Sequence, residues 1–342
     1  MSIGRLSPNE PSARIREHDD DPRPPPPAPR QARDARLAAV IVRLPAGASH
    51  AAYFAAIAPP DPRIARDEQV RAKLDACRDR ASGPYSVNGE SVAAQPMFRM
   101  TTHEVSDATV RDLTNIGLRA GIRGDEIFAA RMGQCSSKTL VKLTQALIDA
   151  GKLPAEPRDL ASRIRTMQWS YGIGMDCAGY SKEALSAAHG ARVTLYGPGS
   201  ESFRDLDGKR SAQFARVSID GARPGDLLTL DAAPGGTWGH NVVVYRNDVV
   251  DDAKRAALVA SHGAGMAAFL ASPGPHRAIE VDSSWGAGVH GSMVGGYRRD
   301  TWLYDASTKQ WGSFTPGTTP PELVVSKLGP SEDKFHGVYR PR

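Results

Sequence analysis

Two short runs in this chain carry side chains suited to covalent chemistry. Gly174-Met175-Asp176-Cys177-Ala178-Gly179-Tyr180 places a thiol where a glycine-rich stretch gives way to the helix-forming residues Ser181-Lys182-Glu183-Ala184-Leu185. Trp238-Gly239-His240-Asn241-Val242-Val243-Val244-Tyr245 places an imidazole at the start of a β-branched run. A thiol and an imidazole on different elements are the minimum parts of a cysteine nucleophile with its base. A cysteine in the first turn of a helix meets unpaired backbone N–H groups and the positive end of the dipole, and both favour the attacking thiolate. Cys177 is therefore the expected nucleophile and His240 the expected base, with Asp176 placed to cap the Cys177 helix.

Other chemistries find little support. Cys77 and Cys135 read as small buried hydrophobes, and three cysteines at no metal-like spacing make no disulfide framework. The nine histidines are scattered without zinc spacing. Gly263-Ala264-Gly265-Met266 has neither a preceding strand nor the Lys-Ser/Thr of a phosphate loop. No metal and no other cofactor is expected. The net charge of +5, from 43 basic and 38 acidic residues among 342, is a mild excess spread along the chain. It suits weak attraction to anionic polymers and is no nucleic-acid footprint. The longest apolar run, Leu37 to Val42, is too short to span a bilayer. Met1-Ser2-Ile3-Gly4-Arg5 carries no apolar signal-peptide core, so synthesis in the cytoplasm is expected.

The elements that must position these residues follow from composition and periodicity. Residues 1–36 hold eight prolines and almost nothing to bury, and read as a disordered or polyproline II arm. Residues 37–103 are Ala-rich and poorly defined. Over 104–168 the pattern is helical. Ser106 caps a helix carrying Val110, Leu113 and Ile116 that ends at Gly117, and a short helix runs Asp125 to Met132. Ser136 or Ser137 caps a segment bearing Leu140, Leu143 and Leu147, and a last helix covers Asp159 to Met167. The Cys177 helix ends near His189-Gly190, and a Gly/Pro/Ser-rich excursion covers 197–212. Arg223-Pro224-Gly225-Asp226-Leu227 is a turn feeding a strand, and Pro234-Gly235-Gly236 turns into the His240 strand. A helical insertion at about 251–271 precedes a strand over Ala278 to Asp282. Tyr297 to Tyr304 and Gln310 to Phe314 form a hairpin around Asp305-Ala306-Ser307. Residues 316–342 are expected to be a tail.

Asp176-Cys177-Ala178-Gly179-Tyr180 resembles the Asp-Cys-Ser-Gly-Phe block of the NlpC-type cell-wall cysteine peptidases. Arg223-Pro224-Gly225-Asp226-Leu227 resembles their Pro-Gly-Asp-Leu turn, and Gly239-His240 before Val242-Val243-Val244-Tyr245 their Gly-His-Val strand. The three blocks occur in the family's order over about residues 166–315. The resemblance implies an α+β, papain-like catalytic domain over 169–315, with the Cys helix packed on an antiparallel sheet. A helical module and a disordered arm would precede it. Ala178 stands where the family has Ser, Asn241 where it has Val, and about 30 residues are inserted after the His strand.

The resemblance also implies site roles. Trp169-Ser170-Tyr171-Gly172 is similar to the family's Tyr-x-x-Gly segment, which gives Tyr171 a place at the oxyanion site. Asp176 meets substrate in the family. The third polar residue, which orients the imidazole, is expected at Asp282, with His276, His262 and Ser284 as alternatives. Arg298 has the forked donors that suit a stem-peptide carboxylate, against a solvated Arg298-Arg299-Asp300 cluster. The implied activity is amide hydrolysis through a thioester, with peptidoglycan stem peptide or another peptide as substrate. Delivery by a specialised secretion system or phage-like particle would reconcile that substrate with the absent signal peptide, and would bring an export or immunity partner. Two further readings remain: an intracellular papain-like protease, deamidase or acyltransferase, and an inactive binding protein of the same fold.

Overall fold

The computed structural model describes residues 62–99, 105–157, 159–190, 214–231, 239–286, 295–314, 322–330 and 334–342. All of them belong to one compact unit, Pro62–Arg342. The expectations for residues 1–60, for 197–212 and for Pro234-Gly235-Gly236 lie outside the described residues.

The chain order begins with helix α1 (Pro62–Ala81) and a small hairpin of β1 (Tyr85–Val87) and β2 (Glu90–Val92). Helices α2 (Asp107–Arg119), α3 (Gly124–Arg131), α4 (Ser137–Asp149), α5 (Leu160–Ser170) and α6 (Cys177–His189) follow. Then come β3 (Phe214–Val217), β4 (Leu227–Asp231), β5 (His240–Val249), helix α7 (Asp252–Phe269), β6 (His276–Trp285), β7 (Gly296–Asp305), β8 (Gln310–Phe314), β9 (Leu323–Ser326) and β10 (Lys334–Pro341). The architecture is α+β: among the described residues there are seven helices and an antiparallel eight-stranded sheet in the order β3-β10-β4-β5-β6-β7-β8-β9.

Local signals place the helix starts. Ser106, Ser136, Asp159 and Asp176 are N-caps whose side chains accept from the backbone N–H three residues on. The C-cap of α6 is Gly190, in the left-handed conformation that glycine adopts without strain. Gly117 does not end α2 as expected. It lies inside the helix, where a side chain would strike Ile127, and the chain turns instead at Gly121, φ +69°.

Strand parity divides the sheet into two faces. One carries Leu227, Val243, Tyr297 and Tyr339 and packs against α1 and α6 through Leu74, Cys77, Tyr180, Ala184 and Leu185. The other carries Leu228, Leu230, Val242, Val244, Val281, Trp302, Trp311 and Val338. This second face is covered by the sheet itself: the rings of Trp311 on β8 and Phe335 on β10 lie 5.0 Å apart although four strands separate them in the sheet. The sheet is therefore strongly curled, with an aromatic-rich interior.

The domain expectations need two corrections. Residues 104–168 are no separate module, because Leu113, Ile116, Leu140, Leu143 and Met167 share one core with α1, α6 and the sheet. Nor is 316–342 a tail: β10 is an interior strand, paired with β3 through Val338↔Val217 and with β4 through Val338↔Leu228. The buried Asp226 of the Pro-Gly-Asp-Leu turn caps Arg223 N–H at 2.8 Å and accepts two hydrogen bonds from Arg340 of β10, at 2.9 and 2.7 Å. The turn thus fastens β10 to the sheet.

Candidate active site

Cys177 is the first residue of α6, as the sequence predicts. Asp176 seats it. Its carboxylate accepts from Gly179 N–H at 2.6 Å, and its own N–H donates to Gly133 O at 2.9 Å. Gly179 is required there, since a methyl group would overlap the Gly133 carbonyl oxygen. Burial pushes the Asp176 carboxyl up to about 7, against the opposing pull of N–H donors from Gly179 and Ala178 and of Gln134.

Cys177 is partly exposed as a residue, but its thiol group is enclosed by protein. Burial, and then the neighbouring Asp176 carboxylate, push it up to about 12, while N–H groups of Asn241, Ala178 and Cys177 pull the other way. The expectation of a thiolate-favouring site is thus reversed. A helix N-terminus contributes on the order of 1 kcal/mol, and here desolvation outweighs it.

The geometry separates the expected pair. His240 opens β5 opposite Leu230, on the curled inner face with Val242 and Val244. Its ring packs tilted against Trp285, centroids 3.7 Å apart, and the Trp285 ring also carries the Arg298 guanidinium at 4.7 Å. Asn241 has the opposite parity, and it is the Asn241 main-chain N–H that faces the Cys177 sulfur. His240 Nε2 is buried with no hydrogen-bond partner among the described residues. Burial and the Arg298 charge push the imidazole down to about 3, so it is neutral at ordinary pH.

Asp282 lies on the helix side with Cys177, not beside His240, and its carboxylate is already engaged. Arg299 donates to it twice at 2.7 Å, donates to Asp75 of α1 at 2.8 Å, and lies over the Tyr245 ring at 3.2 Å. Asp282 therefore does not orient the imidazole in this arrangement. The alternatives do not either: Ser284 Oγ donates to Met175 O at 2.6 Å, and His276 meets Ser272 and Phe269 O at the far end of β6. His262 lies on α7 against Phe314. Tyr171 is also committed elsewhere. Its hydroxyl donates to Asp112 at 2.8 Å, and Lys152 pairs with the same carboxylate at 2.8 Å, so no oxyanion role follows from its position. Arg298 is tied to Asp300 at 2.7 Å and lies with His240 on the inner face.

What borders Cys177 instead came unannounced by any motif. Met97-Phe98-Arg99 runs parallel to the loop before the nucleophile: Met175 N–H donates to Met97 O at 2.9 Å and Arg99 N–H to Met175 O at 3.4 Å. Beyond the Val243↔Asp282 pair, Ser283 Oγ donates to Asn241 O at 2.6 Å and ties the end of β6 to the start of β5 at the same rim. No glycine-rich or polar pattern marks 95–99, and only its tertiary contacts reveal it. Among the described residues no His/Cys/Asp/Glu group is arranged to hold a metal, and no helix is long and apolar enough to cross a membrane. Comparison with known protein families, with curated proteins and with solved structures finds no match.

Proposed function

We propose that the protein is a cysteine hydrolase that cleaves an amide bond through a thioester on Cys177, with peptidoglycan stem peptide as the substrate class. The observation that supports this most is the seat of Cys177: a partly exposed residue on the first turn of a capped helix, its sulfur facing a β5 main-chain N–H. The substrate class rests on the sequence resemblance alone. In this reading the sulfur attacks the carbonyl carbon and its proton passes to His240. The carbonyl oxygen takes up negative charge beside the N–H groups of Cys177, Ala178 and Asn241. The C–N bond then breaks, the amine leaves with the proton from His240, and water hydrolyses the thioester. The His240 ring must first leave Trp285 and come to the α6 side of β5.

A second reading, a binding protein that does not turn over, is favoured by one observation: His240 is stacked on the face opposite Cys177. Mass spectrometry of purified peptidoglycan incubated with wild type, Cys177→Ala and His240→Ala separates the two. Hydrolysis by the proposed pair gives new stem-peptide fragments from wild type only. Fragments from His240→Ala at the wild-type rate would remove His240 as base. No fragments from wild type, with Cys177 still accessible to a thiol reagent, would favour the binding protein.

A further inference from the structure

Phe98 is partly exposed between the buried Met97 and Arg99, and its position is held from three sides. Met97 N–H donates to Gln168 Oε1 at 2.9 Å, Arg165 of α5 donates to the Gln95 and Gly295 carbonyls, and the bridge to Met175 ties the segment to the residues just before Cys177. The ring lies over Gly286, where an added methyl would come within 3.0 Å of it. Gly286 lies two residues after Ser284, whose hydroxyl donates to Met175 O, and this end of β6 borders the start of β5, whose Asn241 N–H faces the sulfur. A rigidly held, partly exposed aromatic thus stands at the same rim as the partly exposed residue Cys177.

We propose that Phe98 forms the apolar wall of the cleft at Cys177 and selects substrates or ligands with a flat or apolar group beside the bond presented to the thiol. The ring supplies an apolar surface for such a group, and the absence of a side chain at Gly286 leaves room for it at the strand end. The inference rests on the reading of Cys177 as the reacting thiol, and it adds a specificity residue from a segment far upstream. It makes the strap at 95–99 part of the site rather than its approach.

The test measures alkylation of Cys177 in the full chain at pH 9, where the buried Cys77 and Cys135 are protected. Iodoacetamide serves as the small polar probe and N-phenylmaleimide as the flat apolar one. Phe98→Ala is expected to lower the ratio of N-phenylmaleimide to iodoacetamide rates by roughly three- to tenfold, the size of one lost aromatic contact. Phe98→Leu should fall between, and Gly286→Ala, which pushes the ring aside, should follow Phe98→Ala. An unchanged ratio in a variant that melts like wild type overturns the proposal, as does an equal acceleration by both probes, which would make the ring a mere cover. The ratio is read without any hydrolysis, so a failed hydrolase reading and a failed wall are told apart.

Discussion

Replacing Asp282 by alanine separates a structural carboxylate from a catalytic one. Asp282 is 1% exposed and holds Arg299 through two 2.7 Å hydrogen bonds. Its removal leaves a guanidinium whose side chain is 25% exposed with only the more exposed Asp75 opposite it. Breaking a buried pair on one side costs about 3–5 kcal/mol. Arg299 keeps some solvent and one partner, which places the cost near the lower bound, about 3 kcal/mol. For a folded unit of this size that lowers Tm by roughly 6–12 °C. Asp75→Ala, removing the solvent-facing partner, should cost about 1 kcal/mol and roughly 2–4 °C. The double variant Asp282→Ala/Arg299→Met removes both partners of the pair and should recover most of the loss. Thermal unfolding followed by circular dichroism reads all three. An Asp282→Ala protein that melts within about 2 °C of wild type but no longer cuts substrate would refute the reasoning and restore Asp282 as the group that orients the base.

Two pH effects of opposite sign follow from the site. His240 is held neutral down to about 3, well below its unfolded value, so the unfolded chain binds the extra proton between those limits. Stability from this residue is intact above about pH 6.5 and falls as pH drops toward 3. His240→Gln should therefore flatten the acid limb of Tm against pH. Asp176 titrates near 7, far above its unfolded value, so here the folded chain holds the extra proton, and its contribution falls as pH rises from about 4 to 7. Asp176→Asn keeps the cap, should remove that slope, and should speed Cys177 alkylation at pH 9 by taking away the neighbouring negative charge. A slope or an alkylation rate left unchanged would show that the carboxyl is not the buried acid described.

Much of the fold was legible because it is local. Ser106, Ser136, Asp159 and Asp176 announce helix starts through side chains that satisfy N–H groups three residues away, and Gly190 announces a stop. The hairpin at Asp305 was equally plain, since that carboxylate gathers Ser307 and Thr308 into the turn. The site was legible in its parts and not in its assembly. A Gly-His pair before a β-branched run says that an imidazole opens a strand, but strands alternate every residue, and a shift of one exchanges the two faces. Here that parity gives the helix side to Asn241 and the inner side to His240. The thiol illustrates a second limit: helix position was readable, whereas the density of protein around the sulfur was not. Arg298 and Arg299 read as one solvated cluster, yet adjacent positions on β7 send one to Trp285 and the other to Asp282.

The placement of β10 bears on how the chain acquires its shape during synthesis. Strand β3 pairs with β10, and β10 pairs with β4 across more than a hundred residues, Val338↔Leu228. A nascent chain that has exposed everything through β8 still lacks the strand that bridges β3 to β4. The Asp226 carboxylate then has no Arg340, and the edge of β4 stands open to pairing with other chains. Such long-range closure is intrinsically slow. Joining β3 to the rest of the sheet therefore waits for residues 334–341, whereas β5, which carries His240 and Asn241, already has both its partners in β4 and β6.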